Sequence, residues 1–291
     1  MVDFRPVYNI FATCKMDGEN SNFSCDMVIA LYKEDLDWLK NYDYDFRNIF
    51  LYNKNQENNN KTSQDLKCTM KGKECVKINL INEGRCDHTF LYHIVHHYDE
   101  LADVTIFTKG SSDLHRERKK LDFITKKVFE TKDSVFSVDR TSVPIEIHLK
   151  DFSMSHWHSS HPNNKDSGIM GVFSRKLEPA DPRPFGKWYS KYFPNTRVYY
   201  ISYAAVMAIS KAHIHQHPKS YYEAFLKQLE GSSNPEVGHY FERAWIAVFD
   251  PIPENCLYVG GGFTQNGGRR RRQYRTRRRL IRRQTRRLKR N

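Results

Sequence analysis

Several signatures that would settle the chemistry of a new chain are missing from this one. No stretch of its 291 residues approaches the roughly 18 consecutive apolar residues that a membrane span needs. The start, MVDFRPVYNIFATCKMDGENSNF, has no basic segment leading into an apolar core, so it does not read as a secretory signal. A soluble intracellular protein is expected: cytoplasmic, or carried by its basic end to a nucleus or a virion, and not secreted. The six cysteines, Cys14, Cys25, Cys68, Cys75, Cys86 and Cys256, never fall into a CxxC spacing. In a long chain without a signal this predicts free thiols. The zinc-protease pattern HExxH is absent as well; its place is taken by HIVHH. His93 and His97 share a helix face with His88 one turn back, and two histidines at that spacing can ligate zinc. Without the glutamate, a hydrogen-bonded helix face is the better reading. A zinc hydrolase that also uses His156, His158 and His161 stays as an alternative. No internal repeat is visible.

Acid is missing from the end of the chain. Lys and Arg number 47 against 34 Asp and Glu, a net charge of +13. Fourteen of those bases lie within 269–290, where there is no acid, leaving 33 bases against 34 acids in the rest. The basic character therefore belongs to the tail and says nothing about the body's ligand. A one-signed run such as RRRRQYRTRRRLIRRQTRRLKR is expected to be disordered alone and to bind nucleic acid or another polyanion with steep salt dependence. A nuclear address or a solubilising run would look the same.

The remainder reads as alternating strands and helices. Residues 1–24 suggest an arm or edge strand, 25–258 one α/β domain, and 259–291 a glycine-rich linker and the arginine tail. DMVIALY (26–32), NIFLY (48–52), CVKINLI (75–81) and VTIF (104–107) predict buried strands. EDLDWLKNY predicts a short helix capped by Asp35, and 53–72, rich in Asn and Lys, an exposed loop. Phe90, Leu91, Ile94, Val95 and Tyr98 line one side of a predicted helix, and 113–129 suggests another. IEIHL (145–149) and 197–210 supply further strand candidates. Helices are expected after Pro218 and over 236–249. The order implies right-handed crossovers, a mostly parallel central sheet and helices on both faces.

In such a sheet ligands sit beyond the carboxyl ends of the strands. Three loops should meet there: the one carrying Glu34 and Asp35, the turn Asn82–Glu83–Gly84–Arg85, and Lys109–Gly110. The middle turn feeds a helix whose first N–H groups, near Asp87, His88 and Thr89, favour anions. Arg85 and Lys109 add positive charge and two glycines allow close approach. This pattern suits a phosphate-bearing ligand such as a nucleotide diphosphate; a plain helix cap paired with Asp87 would use the same residues. Late in the chain, Glu242 and Arg243 interrupt an aromatic helix containing Tyr240, Phe241, Trp245 and Phe249. Glu242, with His239 three residues earlier, is either a base of raised pKa facing a cleft or half of a structural pair with Arg243.

The pieces VIALYKEDLDWL, FLYNKNQ, NEGRCDHTFLYHIVHHYDELADVTIFTKG, FGKWYSKYF, ISYAAVMAIS, HPKSYYEAFL and GHYFERAWIAVF run in order over most of the chain. Together they resemble the domain-of-unknown-function family numbered 3431, found in fungi, algae and large DNA viruses. That pattern is in turn similar to nucleotide-sugar glycosyltransferases of the GT-A type, with a Rossmann-like fold. The resemblance implies a nucleotide-sugar donor, a carbohydrate or glycoprotein acceptor, and a manganese or magnesium ion as an open possibility. By position, Asn82, Gly84, Arg85, His88 and Thr89 match the family's loop. Gly110 matches its next turn, and His239, Glu242, Arg243 and Trp245 its late helix. Two departures stand out. Cys86 occupies the position after Arg85 where the family usually has an acid, and the Asp-x-Asp metal clamp is reduced to Asp113. A non-catalytic module tethered to nucleic acid or a virion by its tail is the alternative function.

Overall fold

The computed structural model of the chain describes residues 23–55, 68–154, 156–157 and 175–261. The expected arm, most of the 53–72 loop and the arginine tail lie outside them.

Seven consecutive buried residues, Cys25–Leu31, form β1. Side chains alternate along a strand, so Met27, Ile29 and Leu31 enter one core and Val28 and Ala30 the other. Both faces are covered, which is why the strand reads as an unbroken apolar run. β2 (Asn48–Asn53) follows, then a hairpin of β3 (Thr69–Met70) and β4 (Lys73–Glu74), then β5 (Val76–Asn79). Helix α1 (Arg85–His96) crosses back to β6 (Val104–Lys109), and α2 (His115–Thr131) leads to β7 (Phe136–Arg140). The second half contributes α3 (Ile145–His148), the two-residue strands β8 (His156–Trp157) and β9 (Arg175–Lys176), and α4 (Phe185–Tyr192). It continues through β10 (Tyr200–Ile201), β11 (Met207–Ser210), α5 (Lys211–Ile214), α6 (Lys219–Leu226), α7 (Glu236–Val248) and β12 (Leu257–Val259).

The central sheet runs β11-β6-β1-β2-β5. β1 is parallel to β2 and β6, and β2 to β5, while β11 is antiparallel to β6. The mostly parallel α/β architecture read from the sequence is therefore the observed one. The chain winds outward from β1 to β2 and β5, and α1 then returns it to β6 on the other side of β1. A second sheet, β10-β7-β12, joins the first through a bridge from Val135 to Ala208. The apolar stripes of α1 and α7 pack on one face; Leu121, Ile124 and Val128 of α2 cover the other. Each fully buried side chain of this size contributes about 1.5–3 kcal/mol.

Five local expectations need correction. IEIHL is not a strand: Pro144 caps the short helix α3, where Ile145 is buried and Ile147 is 56% exposed. Alternation alone could not separate a half-buried strand from one helical turn. The run 197–210 is broken by a turn at Tyr203–Ala205. Asp35 does not hold the cap position of the expected short helix, which is a single 3-10 turn, Asp37–Asn41, preceded by Leu36; its Oδ1 accepts the Asp37 N–H (2.6 Å). Of the supposed exposed loop, Asn53 ends β2 and Lys54 is buried, while Cys68 and Cys75 form a disulfide across the β3–β4 hairpin. Free thiols are found at Cys25, Cys86 and Cys256. Among the described residues, no helix is long and apolar enough to cross a membrane.

Candidate functional site

The parallel register brings the ends of β1, β2, β5 and β6 to one rim: Leu31 pairs with Asn53, Asn53 with Asn79, and Ala30 with Lys109. Because β11 is antiparallel, its beginning, and the Tyr203–Ala205 turn before it, lie at that same rim. Beside β1 and β6, where the winding reverses, is where open α/β sheets hold ligands.

The Asn82–Arg85 turn reaches the rim in a left-handed conformation, with φ +55° at Gly84 and +57° at Arg85. Gly84 is dictated by φ and by space, since a Cβ would lie 2.6 Å from the Cβ atoms of His88 and Leu229. The Lys54 ammonium, itself buried, donates to the carbonyls of Glu83 and Arg85. Asn82 is half-buried on this turn. Across β1, a Cβ on Gly110 would lie 2.8 Å from Glu34 Oε2, and the Gly110 carbonyl accepts the Trp38 indole N–H (3.2 Å). Glu34 Oε2 also accepts the N–H groups of Tyr32 (2.7 Å) and Lys33 (3.1 Å). Glu34 thus braces the loop after β1, while Asp35 points to solvent.

Helix α7 supplies the other wall. Arg85 Nη1 lies 2.5 Å from His239 Nε2 and 3.0 Å from Nδ1. Burial, reinforced by Arg85 and Arg243, pushes His239 down to about 2, so its imidazole is neutral and accepts from the arginine. Glu242 Oε1 accepts the Ala204 N–H (3.1 Å), and Oε2 is 3.6 Å from Arg243 Nη1. Arg243 also donates to the His239 carbonyl (2.7 Å) and stacks over Phe152, 4.1 Å from the ring centroid. Lys109 Nζ sits 3.9 Å from Glu117 Oε1. Burial raises the Glu242 pKa, but Arg85, Lys109, Arg243 and the Ala204 N–H outweigh it and hold the carboxyl below its ordinary range. The expected raised pKa is therefore corrected. The aromatic helix pattern announces burial; it cannot announce cations delivered by β6 and the Asn82–Arg85 turn. The Glu242 side chain keeps 22% of its exposure, so a ligand can reach it.

Other candidates lie elsewhere. Asp87, His88 and Thr89 face the interior. The Trp245 indole donates to Asp87 Oδ1 (3.1 Å). Burial, with Glu242 adding to it and Arg85 and the Trp245 bond opposing it, pushes Asp87 up to about 7. Burial and Lys54 press His88 down to about 3. Asp113 is exposed at the end of the turn Gly110–Asp113. His93 Nδ1 meets the Tyr52 hydroxyl at 2.9 Å, and its ring stacks on His97, 4.6 Å between centroids. The side chains of His156, His158 and His161 are outside the described residues. Among the described residues no group of three or more His, Cys, Asp or Glu could hold a metal.

The sequence reading missed Lys54, Lys120 and the alanines of the Tyr203–Ala205 turn. Lys54 hides in an Asn-rich stretch that looks solvated. Lys120 left a signal: it shares the helical phase of Leu121, Ile124 and Val128, the buried face of α2.

A family model described as Protein of unknown function (DUF3431) matches residues 27–260, most of the chain, and the protein belongs to that family. No curated protein matches it. Among solved structures, the 4-diphosphocytidyl-2C-methyl-D-erythritol synthase from Anaerococcus prevotii DSM 20548 is similar at 10% identity and a TM-score of 0.33, over 81% of this chain and 86% of that one.

Proposed function

We propose that this member of the family transfers a group from a nucleotide donor to an acceptor hydroxyl, and that the group is a sugar carried by a nucleoside diphosphate. One observation carries the reading. Arg85 and Lys109 come from opposite sides of β1 and act on the same carboxylate, Glu242, at the carboxyl rim of the parallel strands. In this reading the donor diphosphate would lie against the forked guanidinium and the ammonium, which would compensate the charge that develops as the bond from sugar carbon to phosphate oxygen breaks. The acceptor oxygen, a carbohydrate or glycoprotein hydroxyl, forms the new bond, and its proton passes to Glu242. The ionised carboxylate can accept the hydroxyl hydrogen bond and orient the acceptor; its lowered pKa makes it a weak base, so the proton passes to it only as the new bond forms. This describes an inverting transfer; a retaining one would use the same donor site. A manganese or magnesium ion bound with the diphosphate would share the neutralisation.

Calorimetry on the full chain with UDP and GDP, with and without manganese, tests the reading. The Arg85→Ala/Lys109→Ala variant is the comparator, because it carries the same arginine tail. Binding at least ~10-fold weaker in the variant is expected, since one lost charge-assisted contact is worth about 1.5–3 kcal/mol. Equal affinity in the two proteins would refute the site. Glu242→Gln should keep nucleotide affinity and lose turnover in a panel of nucleotide-sugars.

A second activity rests on the run of fourteen bases within 269–290: capture of nucleic acid or another polyanion, independent of the rim.

A further inference from the structure

Two places on the rim hold consecutive residues in the left-handed region: Gly84–Arg85, and Ala204–Ala205 with φ +76° and +49°. Three of the four carry a Cβ, so the conformation persists only where the surroundings enforce it. Each turn delivers a charged or polar group to the site. The first aims Arg85 at His239, and the second aims the Ala204 N–H at Glu242. Each turn also rests on a buried lysine. Lys54, 4% exposed, donates to the carbonyls on either side of Gly84. Lys120, 2% exposed, donates to the Tyr203 carbonyl and to Ser202 Oγ (3.2 Å). An ammonium has three donors and no acceptor. Lys54 ties together the two carbonyls that flank Gly84, and Lys120 fixes the Tyr203 carbonyl, whose peptide leads into Ala204, so each can hold its turn in a conformation that side chains disfavour.

We infer that Lys54 and Lys120 are positioning residues of the rim, each clamping through its buried ammonium one of the two left-handed turns that present Arg85 and the Ala204 N–H. That these turns serve an anionic donor rests on the function proposed above; that the lysines hold them does not. Burial presses both lysines down to about 7. The groups acting on Lys54 are Cys86, Asp87 and Glu83, with His88 also close. Those acting on Lys120 are Glu242, Lys109, Asp139 and Arg116. Near neutral pH the clamps begin to lose their charge, and a neutral amine ties carbonyls less well.

Peptide-resolved hydrogen exchange on the full chain tests this, comparing wild type with Lys54→Met and Lys120→Met. Exchange at 83–86 should rise at least ~10-fold in the first variant and at 203–205 in the second, while β1 and β6 stay protected. UDP affinity should fall in both. Unchanged exchange at the two turns would overturn the inference, and so would a uniform rise through β1 and β6, which would make the lysines props of the whole fold. Local loosening in a protein that binds no nucleotide would support the clamps and refute the donor site. Should a Met variant fail to fold, Lys54→Gln and Lys120→Gln are measured in its place, since a shorter stem cannot reach the same oxygens; unchanged exchange at the corresponding turn would overturn the inference.

Discussion

Replacing Asp87 by asparagine should stabilise this protein, and increasingly so as the pH rises. The carboxyl is 2% exposed and receives the Trp245 indole N–H. Burial lifts its pKa from 3.8 to about 7. The folded state therefore holds the proton more tightly than the unfolded chain does, and ionising the group weakens folding. Its contribution is fully present below pH 3.8, declines as pH rises, and has been lost once the pH passes about 7. At 1.36 kcal/mol per decade, the loss is about 2 kcal/mol at pH 5 and about 4 kcal/mol at pH 8. Asparagine keeps an oxygen for Trp245 and cannot ionise. The difference in unfolding free energy between Asp87→Asn and wild type, from urea denaturation at pH 5, 6, 7 and 8, should grow by roughly 2–3 kcal/mol across that range. Taking the difference removes titrating groups that Asp87 does not act on, Lys120 among them, while Lys54, which feels the Asp87 charge, stays coupled to the substitution. A variant less stable than wild type by a similar amount at every pH would refute the reasoning. It would mean that Asp87 is ionised in the fold and serves as a partner for nearby cations, whose removal strands a buried charge.

Gly84→Ala should cost about 3 kcal/mol, combining a left-handed residue with a Cβ that overlaps two neighbours; a shift in the urea midpoint without a change in slope would record it. Cys68→Ser/Cys75→Ser should lose about 2 kcal/mol, the chain-entropy value for so short a loop. A reductant should then leave the variant's melting temperature unchanged while lowering that of the wild type. Deleting 269–290 should abolish the salt-sensitive part of duplex DNA binding. If about half of its fourteen bases meet phosphates, the wild-type log–log salt slope should be about −6; an unchanged slope in the truncated chain would move polyanion binding to the body.

The strands and principal helices could be read from sequence because their signals are local. β1 and β2 are apolar on both faces, and α1, α2 and α7 repeat apolar residues at helical spacing, so each element carries its own burial pattern. Arg85, Lys109, His239 and Glu242 were also singled out as candidates in the sequence, each by a local oddity: a glycine-arginine turn, a lysine closing a strand, and polar side chains in an aromatic helix. Where local signals were ambiguous the reading failed. IEIHL fits a strand or a helical turn equally well, and Asp87, His88 and Thr89 look like rim residues until the helix phase turns them inward.

Sequence alone thus determined the order of elements, the parallel sheet and the isolation of positive charge in one terminal run, since propensity, periodicity and charge count act over a few neighbouring residues. Tertiary structure decided what surrounds each candidate residue. Coulomb forces act between groups distant in the chain, and only packing brings Arg85 to His239, Arg85 and Lys109 to Glu242, and a buried lysine beneath each left-handed turn. The same packing depresses the Glu242 pKa, because three cations and one N–H outweigh the burial that its aromatic helix imposes.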